Sequence, residues 1–205
     1  MSYRSEIDTI FLSAGEQISG SEEKVIGYQS RYKRHRVYDW VVPDELDTIT
    51  EQDRQLGNRL AARRGREAFA PIVGSTINLI DKTWDLFSLS EQDYEKARKI
   101  TWNTLAPLLT VKGLAIPSLS KALHRKRPNW IPVCDAVLLS GFGINEDKKN
   151  IESALSLMDR MRTVGSTNLA VLENLAALTA SLGEPLTKLR VLDVVCWVEW
   201  GPFSD

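Results

Sequence analysis

Cysteine and histidine are nearly absent from this chain of 205 residues, which holds only Cys134, Cys196, His35 and His124. Two cysteines without Cys/His company are too few for a disulfide framework, a zinc site or an iron–sulfur cluster. They read as small buried apolar residues. Both histidines sit inside basic runs, so no metal and no cofactor is expected. Long apolar runs are missing too. No stretch approaches the roughly 20 residues that a membrane helix needs. The opening MSYRSEIDTIFLSAGEQ carries acids where a signal peptide would have a basic flank before an apolar stretch. A cytoplasmic protein with no membrane partner is expected. A third absence is period-two alternation. VLDVVCWVEW is rich in β-branched residues, but it begins in LTKLR without strand punctuation.

An overall excess of charge is lacking as well, since the net charge is −1. The distribution is nevertheless uneven. Residues 31–127 carry a net +6, between an N-terminal segment of −3 and a C-terminal one of −4. Segregation of this kind builds a positive face on a neutral protein, as polyanion binding requires, although a charge run is more often a solvated surface.

What is present is helical periodicity. Ile7, Ile10, Phe11 and Ala14 predict a helix within residues 3–18, ended by Gly20. Ser21 caps a second helix that runs into RYKRHRVYDW, where Arg34 and Arg36 precede Tyr38 and Trp40. Basic side chains beside aromatic rings suit a nucleic-acid strand. The alternative is a solvated helix end anchored by Tyr38 and Trp40. An acidic loop around Asp44, Glu45 and Asp47 leads to Thr50-Glu51-Gln52-Asp53, a cap with acids at the positive end of its helix. Residues 66–85 read as another helix, Ser90 caps the next, and residues 145–161, 168–182 and 186–200 give three more, with Gly165-Ser166-Thr167 as a break. The expectation is an all-α fold of about nine helices, in one domain or in two lobes sharing a cleft.

The stretch LLTVKGLAIPSLSKALHRKRPNWIPVCDAVLL, residues 108–139, organises the rest. A glycine-containing turn joins two helices, and the first amides of the second helix point outward to hold a phosphate oxygen. Lys112, Gly113, Ala115, Ser118 and Lys121, followed by His124, Arg125, Lys126 and Arg127, would make a sequence-blind contact to a nucleic-acid backbone. Trp130 is a candidate for stacking on a base or for the core. Asp135 stands where an N-cap would open the following helix, and is also the candidate catalytic carboxylate.

These residues resemble the helix-hairpin-helix element of the DNA glycosylase superfamily typified by endonuclease III, MutY and AlkA. Its hairpin reads approximately L-P-G-V-G-x-K-T-A-x-x-L, ahead of a proline-containing approach to a catalytic aspartate. Val111 to Ala115 fall on the L-P-G-V-G positions, Pro117 on the lysine and Asp135 on the aspartate, with the element at residues 103–124. The resemblance implies a helical glycosylase-like fold, duplex DNA as partner, and Asp135 stabilising positive charge on the sugar of a flipped nucleotide. Ala115 replaces the second hairpin glycine, so an added Cβ stands where a phosphate would approach. Pro117 replaces the lysine, which removes Schiff-base lyase chemistry. The segments ITEQDRQLGNRLAARRG, HRKRPNWIPVCD and LTKLRVLDVVCWVEW are also similar to a bacterial family of unassigned function.

Three functions follow from this reading. They are a non-catalytic nucleic-acid-binding module, a monofunctional glycosylase acting through Asp135, and a helical protein that binds a protein partner or a small anion. A role in DNA repair belongs to the second.

Overall fold

Apolar side chains at helical spacing produce nine α-helices and two short 3-10 turns among the described residues. The structure is a computed structural model, and it describes residues 8–12, 15–31, 39, 41–60, 65–144 and 151–201. The helices are α1 (Ser21–Arg31), α2 (Glu51–Leu60), α3 (Gly65–Phe69), α4 (Glu91–Leu105), α5 (Ile116–Lys126), α6 (Ala136–Gly141), α7 (Ile151–Thr167), α8 (Leu169–Ser181) and α9 (Lys188–Trp200). The fold is all-α, and none of these helices is long and apolar enough to cross a membrane.

α9 occupies the centre. Thr187 caps it by accepting from the Arg190 amide at 3.1 Å. Every residue from Leu189 to Cys196 is buried, because α1, α6, α7 and α8 pack around it. A helix covered on all sides tolerates β-branched residues on every face, which explains why VLDVVCWVEW looks strand-like in sequence. α4 is amphipathic instead. Ser90 accepts from the Asp93 amide at its start, and Tyr94, Ala97, Thr101 and Leu105 form the buried stripe. One buried apolar cluster extends from Ile10 to Cys196.

Three expectations are corrected. The helix expected within residues 3–18 is instead, where described, an antiparallel pair of strands, β1 (Ile10–Phe11) and β2 (Gln17–Ile18). The Asn168 carboxamide secures this pair by accepting from the Phe11 amide and donating to its carbonyl, both at 2.8 Å. The helix expected over residues 66–85 stops early, since α3 passes into a 3-10 turn containing Pro71 (Ala70–Ile72) and then into turns. Gly165 does not break α7. It lies within the helix, and a Cβ there would stand 2.1 Å from Phe87, so its role is to seat a ring.

Candidate functional site

α5 begins at an open turn and ends inside the protein. A 3-10 turn (Leu108–Thr110) leads to Val111, and Gly113 adopts φ +87°, the left-handed conformation that glycine takes at little cost. Lys112 and Gly113 are exposed, whereas Ala115, Ser118 and Lys121 are half-buried. Ala115 is the N-cap in extended conformation and provides no side-chain cap, and Pro117 occupies the first turn. The Ser118 and Leu119 amides both turn back to the Ala115 carbonyl, at 3.1 Å. That removes two of the amides expected to face a phosphate.

The far end of α5 overturns a larger expectation. Arg125, Lys126 and Arg127 are only 8, 2 and 1% exposed, and His124 is buried beside them. Lys126 contacts Asp53 at 2.9 Å and donates to the Glu45 carbonyl. Arg125 reaches Asp53 at 3.3 Å, the Gln52 amide oxygen at 3.1 Å and the Val41 carbonyl at 2.8 Å. Arg127 contacts Asp47 at 2.8 Å and donates to the carbonyls of Leu46, Ile77 and Ile80. The dense positive run is therefore an internal staple that fastens residues 41–53 and 77–80 to α5. It is not a phosphate-facing surface. Desolvation forces this outcome, because a buried cation is tolerated only where carboxylates and carbonyls replace its water.

Asp53 serves two purposes. Its carboxylate accepts from the Thr50 amide at 2.8 Å, completing the cap of α2, while it also receives Arg125 and Lys126. His124 Nδ1 lies 2.6 Å from the Ile131 carbonyl, which can only accept, so Nδ1 carries a proton and donates it. Burial and the charge of Arg190 push its pKa down to about 4.

Trp130 is fully buried, which removes it as a base-stacking residue. Its indole N–H donates to Thr101 Oγ1 at 2.8 Å, and its ring meets Trp84 and Tyr94 edge-on. Arg34, Arg36, Tyr38 and Trp40 lie outside the described residues.

Asp135 does cap its helix, since its Oδ1 accepts from the Leu138 amide at 3.0 Å at the start of α6. The approach to it is clamped on two sides. The Cys134 amide donates to Ser120 Oγ of α5 at 3.0 Å, and the Val133 amide donates to Asp193 Oδ2 of α9 at 3.2 Å. Asp135 remains half-buried, and its charge acts on Lys121, whose pKa is lowered by desolvation and raised back in part by that carboxylate.

Sequence reasoning missed a second polar group, on α9. Arg190 contacts Asp39 at 2.8 Å and the Tyr28 hydroxyl at 2.7 Å, and that hydroxyl donates to Asp39 at 2.7 Å. One turn on, Asp193 is fully buried, its Oδ1 has no hydrogen-bond partner, and desolvation raises its pKa to about 8. The available signal was a charged i, i+3 pair in an otherwise apolar helix, which points to buried partners.

A cavity of about 240 Å³ opens between Asp39, residues 41–43, the end of α5 with Pro128, and the start of α9. Arg125 and Arg190 both line it, and Asp135 does not.

Fold and site together define an all-helical protein whose middle helix runs from an exposed basic turn to an ion-paired interior. Residues 60–200 match the model of DUF6308, a family of unknown function, and the chain belongs to that family. No curated protein and no solved structure matches it.

Proposed function

We propose that this protein contacts a nucleic-acid backbone, independently of sequence, through the turn that opens α5, with Lys112, Ser118 and Lys121 as the phosphate-facing side chains and without lyase chemistry. The observation that carries this reading is the presentation of that turn. Lys112 and Gly113 are exposed, and the positive end of an eleven-residue helix follows without a side-chain cap. Helix N-termini and nearby ammonium groups favour phosphate for the same electrostatic reason. Ser120 fastens α5 to the Cys134 backbone, which brings the turn and Asp135 onto one framework, as the glycosylase-like reading requires.

Burial of Arg125, Lys126 and Arg127 narrows the interface to a few phosphates, so the binding is weak and its salt dependence is shallow. For two neutralised phosphates, duplex affinity falls about tenfold between 50 and 200 mM KCl, and the log–log slope flattens by ~0.9 when one of the two is no longer neutralised. Fluorescence anisotropy on duplex, single-stranded and abasic DNA checks this. Lys112→Ala should weaken binding and flatten the slope, whereas Arg127→Ala should unfold the protein. Undetectable binding to all three substrates at 50 mM KCl rejects the proposal. Release of a base from lesion-containing duplexes, abolished in Asp135→Asn, would replace the non-catalytic reading with a glycosylase.

A further inference from the structure

Seven large apolar side chains are exposed among the described residues, and four of them, Val42, Leu46, Val73 and Leu79, fall in two short segments, residues 42–49 and 73–80. Single exposed apolar residues are ordinary, but a concentration of them marks a surface that meets something. Val42 is 80% and Leu79 67% exposed, the highest values of the seven.

Backbone hydrogen bonds bring the two segments together. The Ile49 amide donates to the Ser75 carbonyl at 2.9 Å, the Gly74 amide to the Ile49 carbonyl at 2.7 Å and the Ile77 amide to the Asp47 carbonyl at 2.8 Å. Arg127 donates to the carbonyls of Leu46 and Ile80, which sets Leu46 and the neighbour of Leu79 against a single guanidinium. Arg125 fixes the Val41 carbonyl in the same way. Neither segment is helical, so the cations of α5 do much of the holding. Buried ion pairs of this kind often add little net stability over an apolar alternative. What the staple does provide is a fixed shape. An irregular segment already held in one conformation gives up little entropy when a partner docks on it.

Charge selects the partner. Residues 41–54, residues 72–82 and the end of α5 hold six carboxylates and five cations, so the region is negative even with its interior included. Arg125, Lys126, Arg127 and Asp53 are buried, Asp47 is paired with Arg127, and Glu51 is paired with Arg54. The exposed charges that remain are Asp44, Glu45 and Asp81 against Lys82. Such a face repels a phosphate backbone and attracts basic side chains.

We propose that this face docks a segment of another protein that carries basic side chains among apolar ones, the apolar ones seated on Val42, Leu46 and Leu79 and the basic ones beside Asp44, Glu45 and Asp81. It lies at the opposite end of α5 from the turn at Lys112, about 16 Å away along this eleven-residue helix, and neither site needs the other.

The probe is a phage library of random dodecapeptides, selected against the immobilised full chain at physiological salt. Enriched peptides should combine leucine, isoleucine or phenylalanine with lysine or arginine. The tightest is then followed by fluorescence anisotropy on the full chain. It should bind at least tenfold more weakly to Val42→Ser/Leu79→Ser, which changes only exposed side chains, and at least threefold more weakly to Asp44→Asn/Glu45→Gln, which keeps the local acceptors. Lys112→Ala should leave it unchanged. The proposal is overturned if no sequence is enriched, if the enriched peptides lack basic residues, if either double variant binds as the parent does, or if Lys112→Ala removes binding. Sedimentation velocity tests the other occupant. A dimer of the parent that Val42→Ser/Leu79→Ser dissociates would give the face to a second copy of the chain and overturn the proposal as well.

Discussion

Two buried titratable groups in this protein, Asp193 and His124, do opposite things with their protons. Asp193 keeps its proton in the folded state up to about pH 8, far above the ordinary carboxyl value of about 3.9 in an unfolded chain. The folded state thus binds the proton more tightly, and the resulting stability is complete below about pH 4 and lost as pH rises towards 8. Asp193→Asn removes this loss while retaining an oxygen for the Val133 amide. The variant should gain on the parent protein steadily between pH 4 and 8, by several kcal/mol in all, as measured by urea unfolding across that range. His124 acts in the other direction. Its pKa is depressed, so its contribution is complete above about 6.5 and lost as pH falls towards 4. Asp135 is tested by two substitutions. Asp135→Ala deletes the acceptor for the Leu138 amide and should cost ~1 kcal/mol. Asp135→Asn keeps an acceptor and should stay within about 0.5 kcal/mol of the parent. Denaturant unfolding thereby separates the cap, which was legible from VCDAVLL, from any chemistry the carboxylate performs.

At the scale of the element, periodicity revealed those helices whose faces differ. α4 follows directly from Ser90 and its buried stripe, and α9 follows once its flanking LTKLR is taken into account. Glycine was less legible, because a turn and a close approach look the same in one sequence. Gly113 needs its positive φ, yet Gly165 needs only the absence of a side chain. Gly165→Ala should force Phe87 out of its seat and cost ~1–3 kcal/mol or more, with no change in helix content by circular dichroism. The destination of HRKR was the least legible feature. A basic run at a helix end is usually solvated, and Arg125 meets Asp53 across 72 residues of chain. The acidic loop from Asp44 to Asp53 was the complement of that run within the same segment. Only folding brought the two together.

For the molecule as a whole, helix class was written in the apolar pattern, while the function depends on which charges remain outside. Lys112 stays on the surface, and the three residues that promised to be the stronger phosphate ligands became part of the interior. Their burial has a consequence for where this protein can be cut. The family match begins at residue 60, but the groups that receive Arg125, Lys126 and Arg127 include Asp53, Asp47 and the carbonyls of Val41, Glu45 and Leu46. A fragment trimmed to the matched region would keep all three cations and lose both carboxylates. Removing one partner of a buried pair already costs about 3–5 kcal/mol, a large share of the stability of a typical domain. The smallest piece of this chain that can be moved between proteins as a working part is therefore longer than its family region, and begins no later than the loop that opens at Val41.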